Sequence, residues 1–355
     1  MTIKFGVFDH VDHSALPLGE HLEARLRMAE VYDRCGLHGY HVAEHHSTPL
    51  GYAPSPGLLL AAVAQRTRRI KIGPLVYLLP LYHPLRLLEE ICMLDQMSQG
   101  RFMLGVGRGV SPYELKFFGL DFAKAQEMYL EAFDVLMKGF RDERLSHSGK
   151  HYQFNDVPMT LRPVQQPHPE LWYGVLSPES CVWAAEHDVN IVTLALNEGA
   201  KAIADRYRAE WARLGKPLAR LPRIGVSRHV VVAETDAEAK RIASRAYKKW
   251  FASFDHLWLA NGLSVRQAFP PLAALYPDEW EGVEVAGNGI AGTPATVRRF
   301  VEEEAERTGM NYLVSWFAFG DLTVEQVTRS VELFSRDVMP AFETAAARGP
   351  AGALD

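Results

Sequence analysis

Short apolar runs alternate with longer amphipathic runs along the chain, and this alternation repeats about eight times. The apolar runs predict strands, at residues 3–8, 39–44, 70–79, 101–107, 170–175, 190–196, 224–233 and 312–319. The amphipathic runs predict helices, at residues 19–35, 55–66, 84–98, 121–140, 178–187, 198–214, 236–254, 294–308 and 323–344. A strict alternation of strands and helices indicates parallel strands joined by crossover helices. We therefore expect an α/β fold, a closed (β/α)₈ TIM barrel forming a single domain over residues 1–355.

Helix starts and two irregular segments refine this pattern. Ser177 before Pro178, and Thr293 before Pro294, are typical of a helix N-cap followed by proline at the first helical position. Residues 142–169 predict a hairpin and a proline-rich return, inserted after the fourth strand, which could equally be a solvent-exposed excursion. Residues 255–291 are a long connection after the seventh strand. Loops that follow barrel strands lie at the active face, so we expect this second insertion to act as a lid.

Composition narrows the class of partner. Basic and acidic residues, 38 and 43 in number, are mixed along the chain and give a net charge of -5. This balance offers no basic face for nucleic acid and no polybasic segment for a membrane surface. We expect a soluble, cytoplasmic protein that binds a small molecule, because a signal-peptide pattern and a run of about 18 apolar residues are both missing from the sequence. The three cysteines, Cys35, Cys92 and Cys181, lack metal-ligand spacing and are expected to be free thiols.

The second predicted strand ends in Glu44, His45 and His46, an unusual group at a strand end. Strand alternation points His45 and His46 to opposite faces, so the two imidazoles cannot share one metal ion, and we expect no metal. A single inward imidazole, His45, is a candidate general base or hydrogen-bond donor at neutral pH. The alternative is a buried histidine whose ring is satisfied by backbone groups.

Candidate anion-binding residues follow the fourth and fifth predicted strands. The stretch "GVGRGVS" at 105–111 lacks the G-x-G-x-x-G spacing of a dinucleotide site, which leaves Arg108 between glycines at a strand end. Ser177 and Ser180 lie in the first turn of the next predicted helix, where hydroxyls and free N–H groups favour an anion. Barrels often bind phosphate after strands seven and eight, which would favour the turn at 291–294 instead. Spacing alone leaves both sites open.

Several motifs in order resemble one family. They are "AEHH" (43–46), "HPLRLLEEICMLDQMSQGRFMLGVGRG" (83–109), "WAAE" (183–186) and "LFSRDVMPAF" (333–342). Together they resemble the bacterial luciferase-like, flavin-dependent monooxygenases, and most of all alkanal monooxygenase, the aldehyde-oxidising luciferase subunit. The resemblance implies a barrel that binds reduced FMN (FMNH2), delivered by a separate flavin reductase, and uses O2 as co-substrate through a flavin peroxide.

The resemblance also implies roles for individual residues. His45 matches the active-site imidazole, and Arg108 matches the arginine that holds the FMN phosphate. Ser177 and Ser180 match two hydroxyl positions of that phosphate site, which places it after strands four and five. Leu75 and Val76 match a pair on the third strand, often joined by a cis peptide bond, that supports the isoalloxazine ring. Leu176 matches a further cofactor position, which is acidic in the luciferases.

The chain also departs from the luciferases. It has Gly107 where they carry cysteine and Ala195 where they carry tryptophan, and residues 267–297 contain no lysine or arginine.

The function predicted by this resemblance is a monooxygenase that inserts one atom of O2 into a small apolar aldehyde, ketone or aromatic molecule. Two alternatives stay open: a deazaflavin-dependent hydride transferase on the same barrel, and a non-catalytic flavin-binding or partner subunit. The predicted helices at 55–66 and 84–98 carry more apolar surface than an outer barrel helix needs, and in the family this side forms the dimer interface. We expect a homodimer, or a heterodimer if a partner chain exists.

Overall fold

The computed structural model of the protein describes residues 2–342. Within that range the strands are β1 (Lys4–Asp9), β2 (Gly39–Val42), β3 (Lys71–Pro74), β4 (Tyr77–Leu78), β5 (Met103–Gly107), β6 (Arg144–Ser148), β7 (Gln153–Pro158), β8 (Glu170–Val175), β9 (Asn190–Thr193), β10 (Ile224–Val232), β11 (Gly289–Gly292) and β12 (Tyr312–Trp316). The helices are α1 (Leu18–Arg34), α2 (Pro56–Arg66), α3 (Pro84–Met97), α4 (Pro112–Phe117), α5 (Ala125–Arg141), α6 (Ser180–Glu186), α7 (Asn197–Arg213), α8 (Asp236–Ala260), α9 (Val265–Ala268), α10 (Pro270–Ala273), α11 (Trp280–Ala286), α12 (Pro294–Thr308) and α13 (Val324–Leu333).

The parallel strands close into a barrel in which β3 and β4 are two parts of one interrupted strand. Its order is β1, β2, β3 with β4, β5, β8, β9, β10, β12 and back to β1. The ring closes where Ile72 bridges Phe102 and where Tyr77 pairs with Val106. The (β/α)₈ barrel predicted from the sequence is therefore confirmed.

Large side chains fill the lower barrel. The Tyr312 hydroxyl lies 2.9 Å from His41 Nε2, and its ring packs on Trp172 at 5.0 Å between centroids. Room for Tyr312 comes from glycines on neighbouring strands, because a Cβ at Gly6 or Gly39 would overlap its hydroxyl. The floor of the barrel is thus a packed core, and open space is left only towards the carboxyl ends of the strands.

The first insertion is the predicted hairpin, formed by antiparallel β6 and β7. It lies against α5, where the Glu131 carboxylate accepts hydrogen bonds from the backbone N–H groups of Lys150, His151 and Tyr152. The hairpin follows α5 and leads into β8, so it belongs to a connection that enters a strand. It is therefore distinct from the loops that shape the active face of the barrel.

The second insertion follows β10 and continues from α8. Helix α8 runs to Ala260, beyond the predicted end at residue 254, and leads into the short helices α9, α10 and α11. The chain then returns as β11, which pairs in parallel with β10. Near the end of α8 the Trp258 ring contacts Tyr113 of α4 at 5.3 Å between centroids. The insertion therefore contacts α4, which follows the carboxyl end of β5, and its role as a lid stays a prediction.

The predicted helix starts have different outcomes. Thr293 caps α12 as expected, because its hydroxyl accepts the N–H of Thr296. The prediction that Ser177 caps α6 is wrong: the helix begins at Ser180, and Glu179 is the N-cap residue. Residues 177–179 instead form a tighter turn, in which the Ser177 carbonyl accepts the N–H of Ser180 at 3.3 Å.

The last predicted helix, 323–344, is described only to residue 342. Helix α13 is followed by a π-helix at Phe334–Val338 and a 3₁₀ helix at Met339–Phe342. Residues 343 and 344 lie outside the described residues. Among the helices that the structure describes, none has both the length and the apolar character needed to cross a membrane.

Candidate active site

A cavity of about 450 Å³ opens at the carboxyl ends of the barrel strands. It brings together six of the seven residues singled out in the sequence: His45, Leu75, Val76, Arg108, Leu176 and Ser180. The seventh, Ser177, lies outside the lining, and its hydroxyl is hydrogen-bonded to the Glu179 carboxylate. The other lining residues are Phe8, Ala43, Glu44, Leu78, Gly107, Gly109, Val110, Glu114, Gln126, Tyr173, Gly174, Val175, Val192, Leu194 and Ser227.

One wall of the cavity is the break between β3 and β4. The peptide bond between Leu75 and Val76 is cis, and both side chains line the cavity. Glycines on β5 allow the close approach of this turn, because a Cβ at Gly105 would overlap the Pro74 carbonyl and one at Gly107 would overlap the Val76 side chain. The result is an apolar platform beside Arg108.

His45 lies just past the end of β2 and is held by a carboxylate from another loop. Its Nδ1 is 3.1 Å from Glu114 Oε1. The same oxygen accepts the backbone N–H of His46 at 2.7 Å, so Glu114 fixes both the ring and the backbone beside it. Glu114 is 4% exposed, whereas the His45 side chain is 19% exposed and reaches the cavity. This exposure leaves the imidazole accessible to a bound molecule.

The charges around His45 favour its protonated form. Burial alone would lower the pKa of His45, but the charge and hydrogen bond of Glu114, with the charge of Glu44, raise it above its ordinary value. Burial raises the pKa of Glu114, but the charge and hydrogen bond of His45 lower it by more. The pKa of Glu114 is therefore below its usual range. Each residue therefore stabilises the charged form of the other, which favours a cationic His45 beside an anionic Glu114.

Strand β2 ends at Val42, so strand alternation does not fix the directions of Glu44, His45 and His46. His45 lines the cavity and His46 is absent from its lining, whereas Glu44 lines it as well. Glu44 bonds to His46 Nε2 at 2.9 Å and accepts the backbone N–H of Leu78 at 3.1 Å. Among the described residues, no group of three or more His, Cys, Asp or Glu side chains is arranged to hold a metal.

A second imidazole, His10, lies beside His45 after β1. The two rings are stacked at 5.4 Å between centroids with 28° between their planes. Trp250 of α8 donates its Nε1–H to His10 Nδ1 at 3.4 Å. Burial holds the pKa of His10 well below its ordinary value, and neighbouring His45 lowers it further. His10 is therefore a neutral ring beside a cationic one.

Arg108 lines the cavity from the loop that follows β5. Its guanidinium carbon is 4.8 Å above the Phe122 ring, and its Nε donates to the Gly109 carbonyl at 3.3 Å. Within residues 2–342, Asp and Glu side chains form no ion pair with this guanidinium. Ser180 lines the same region, and Gly174 opposite is open, since a Cβ there would meet nothing within 4 Å. An uncompensated cation next to open space is suited to an anionic ligand.

Sequence reasoning missed Glu114, the partner of His45. A signal was present in "SPYE" at 111–114, which matches the S-x-x-E pattern of a helix start. Ser111 does cap α4, because its hydroxyl accepts the N–H of Glu114. The Glu114 carboxylate, however, bonds to His45 and His46. The sequence also gave no reason to select Gln126, Tyr173 or Ser227, which line the cavity from three different elements.

A closed parallel barrel whose strand ends enclose an imidazole–carboxylate pair, an apolar cis turn and an unpaired arginine defines an enzyme-like small-molecule site. Residues 3–312 match the model of the luciferase-like monooxygenase family. The chain belongs to this family.

Individual proteins are similar over nearly the whole chain. An uncharacterized protein, y4wF of Sinorhizobium fredii, is 40% identical over 91% of this chain and 92% of its own. The monooxygenase RslO1 from Streptomyces bottropensis matches with a TM-score of 0.83 at 26% identity, covering 96% of this chain and 100% of that one.

Two further solved structures show the same fold at lower identity. One is the oxygenating constituent of 3,6-diketocamphane monooxygenase, a type II Baeyer-Villiger enzyme from the CAM plasmid of Pseudomonas putida, in complex with FMN. It matches with a TM-score of 0.78 at 22% identity, over 97% of this chain and all of that one. The other is an F420-dependent secondary alcohol dehydrogenase, with a TM-score of 0.72 at 17% identity, covering 97% of this chain and 100% of that one. The fold alone therefore does not select one flavin.

Proposed function

We propose that this chain is the oxygenase component of a two-component system. It binds reduced FMN and transfers one oxygen atom of O2 to a small apolar organic molecule such as an aldehyde, a ketone or an aromatic compound. The observation that carries the proposal is one cavity lined by His45, by the Leu75–Val76 platform and by Arg108, which forms no ion pair with a described Asp or Glu.

The cavity residues fit FMN. Arg108 supplies the positive charge for a phosphate, and the Ser180 hydroxyl lies in the same region of the cavity. Leu75 and Val76 present an apolar surface of the kind that supports a flat ring system. When bound, reduced FMN supplies the electrons that activate dioxygen.

His45 acts at the reacting end of the cavity. Because Nδ1 faces Glu114, the other ring nitrogen, Nε2, is free to donate a hydrogen bond to an oxygen atom that gains negative charge during the transfer. Apolar walls formed by Phe8, Val192 and Leu194 keep water away from this end and receive the substrate skeleton. Among the described residues that line the cavity, His45 and Arg108 are the cationic side chains; since Arg108 is proposed to hold the phosphate, a neutral substrate fits better than a carboxylate.

The reduced cofactor is proposed to come from a separate flavin reductase. The support is the solved structure with bound FMN, which is itself named as the oxygenating constituent of a larger system. We also propose that the chain is a homodimer or one half of a heterodimer. Helices α2 and α3 expose Leu58, Met93 and Met97 on the surface, where a partner chain would cover them.

Binding and labelling experiments test this function. Purified chain is titrated with photoreduced FMN without oxygen, then mixed with ¹⁸O2 and a panel of aldehydes, ketones and aromatics. The expected result is micromolar or tighter flavin binding and one ¹⁸O atom in a product. If reduced F420 binds instead and passes hydride to a substrate without oxygen, the hydride-transferase alternative is correct. A chain that binds reduced flavin and yields no product with any reductant would support the partner-subunit alternative.

A further inference from the structure

His45 and His10 form a stacked pair whose hydrogen-bond partners are of opposite kinds. His45 Nδ1 faces a carboxylate, Glu114 Oε1, at 3.1 Å. His10 Nδ1 faces an indole N–H, Trp250 Nε1, at 3.4 Å. An ionised carboxylate can only accept a hydrogen bond, and an indole N–H can only donate one. These two partners therefore determine which ring nitrogens carry protons.

The consequence follows atom by atom. Nδ1 of His45 must carry a hydrogen to bond with Glu114, whatever the state of Nε2. Nδ1 of His10 must present its lone pair to Trp250, so His10 is neutral and carries its hydrogen on Nε2. The bond that the structure shows for the His10 ring is the one from Trp250 to Nδ1, and Nε2 bonds to no described group.

We propose that Glu114 and Trp250 are positioning residues that assign opposite protonation states to the two stacked imidazoles, with His45 as the cationic donor and His10 as its neutral neighbour. The role of this arrangement in catalysis rests on the proposed function: a cationic His45 donates its Nε2–H to the reacting oxygen and does not act as a base. Its physical content stands without the cofactor, because it concerns only the protons on two rings.

The surroundings of the two rings favour this assignment. Glu114 from α4 and Glu44 beside it both favour the charged form of His45. His10 is buried beside His45, which opposes a second positive charge, as does the more distant Arg25, whose own charge is partly balanced by Asp9 and Asp12. Two cations stacked at 5.4 Å would repel, so only one ring of the pair holds the extra proton.

The arrangement also gives α8 a role in the site. Trp250 lies on the helix that continues into the lid insertion, and its ring contacts His10, His229 and Trp316. A change in the position of this helix would alter the bond to His10 Nδ1 first. The protonation state of the pair thereby depends on a residue that does not line the cavity.

Nitrogen NMR of the apo protein tests the proposal directly. Long-range ¹H–¹⁵N spectra of histidine-labelled protein distinguish charged rings, Nδ1–H tautomers and Nε2–H tautomers, and His45→Gln and His10→Gln identify the two signals. At pH 7 we expect a charged His45 and a neutral Nε2–H His10. In Glu114→Gln, the largest effect that opposes burial is lost, and the titration midpoint of His45 should fall below that of the wild-type chain. In Trp250→Phe, His10 should populate the Nδ1–H tautomer or become charged.

Matched variants separate positioning from general damage. Glu90→Gln removes a carboxylate that bonds to Tyr77, and Trp211→Phe removes an indole donor that bonds to the Pro217 carbonyl; neither should alter the two spectra. Glu114→Asp should retain a charged His45 if the shorter side chain still reaches the ring. A neutral His45 in the wild-type chain, or unchanged rings in both Glu114→Gln and Trp250→Phe, would overturn the proposal. Because no flavin is present, these results are independent of whether the chain is an oxygenase.

Discussion

His45 and Glu114 lie 69 positions apart in the chain, yet Nδ1 of one is 3.1 Å from Oε1 of the other. The contact joins the end of β2 to the short helix that follows β5, across the interrupted strand formed by β3 and β4. Glu114 reaches it because Ser111 starts α4 at the right point. One carboxylate thus connects the reacting end of the cavity to the loop that also carries Arg108.

Replacing His45 by alanine should lower the oxygenation rate by roughly 10²-fold, the usual worth of a positioned proton donor. Flavin affinity should change little, because Arg108 and Ser180, the residues proposed to hold the phosphate, are unaltered. Rapid-mixing measurements of product formation, with flavin binding determined by fluorescence, check both parts. His187→Ala, at an exposed histidine away from the cavity, is the control. A His45 variant that loses flavin as readily as it loses activity would make this residue a cofactor-seating group.

Replacing Arg108 by alanine should weaken flavin mononucleotide binding by about 10- to 100-fold, the loss expected for a charge-assisted hydrogen bond to phosphate. Binding of riboflavin, which lacks the phosphate, should be affected far less. Equilibrium titration with both flavins measures the difference, and Arg299→Ala on the outer surface of α12 controls for a simple change of net charge. Equal losses for the two flavins would place the phosphate elsewhere, for instance at the turn 291–294.

Replacing Gly105 by alanine should destabilise the fold by about 3 kcal/mol, the upper part of the range for overpacking a core. The added Cβ would overlap the Pro74 carbonyl, which belongs to the backbone of the neighbouring strand and cannot rotate away. Gly174→Ala is the matched control on β8, where a Cβ meets nothing within 4 Å. Urea unfolding of the two variants gives the comparison. Similar midpoints would show that the strands separate at little cost.

The stability of the fold should fall as the pH drops from about 6.5, in part because of His229. Burial lowers the pKa of this ring to about 3 in the folded chain, and it titrates near 6.5 when unfolded. The unfolded chain therefore binds more protons between these values, so stability is present above pH 6.5 and is lost on acidification. Between pH 7 and 4.5 this single group should cost about 2.5 kcal/mol.

His229→Phe should remove that part of the pH dependence, because the ring lies among aromatic side chains and bonds to no described group through either nitrogen. The measurement is the free energy of unfolding at pH 7 and pH 4.5, with exposed His187→Phe as control. An unchanged difference between the two pH values would mean that His229 is charged in the fold or is reached by water.

Light scattering at micromolar concentration should give the mass of a dimer. Met93→Glu places a charge on the exposed apolar side of α3, where the residue is 55% exposed, and should shift the equilibrium towards the monomer. Leu218→Glu, at a residue that is 73% exposed on a different face, should leave the mass unchanged. A wild-type chain that remains monomeric would contradict the proposed assembly.

Strand and helix order could be predicted from the sequence because each barrel strand is a short apolar run covered on both faces. The ends of elements were less predictable. Ser177 matches the pattern of a helix cap, but the chain turns more tightly there and α6 starts at Ser180. Strand alternation predicted different directions for His45 and His46, but β2 ends at Val42, and Glu44 lines the cavity together with His45. Glu114 could not be found in this way, because its role depends on a contact between distant loops and its local pattern indicates an ordinary capping glutamate.

The lid insertion leaves β10 through α8 and returns as β11 along the same strand, next to residues His229–Val232. Strand β9 pairs only with the first residues of β10, Ile224–Val226, so the returning strand occupies an edge that the barrel leaves unpaired. Both ends of the segment are thus anchored at one place on the scaffold. Such a segment can change in length and sequence without breaking the barrel, because its residues 255–288 belong neither to the strands of the ring nor to the lining of the cavity. The cavity and this segment are thus separable, and one contiguous piece of sequence can be exchanged while Arg108 and the Leu75–Val76 turn stay in place.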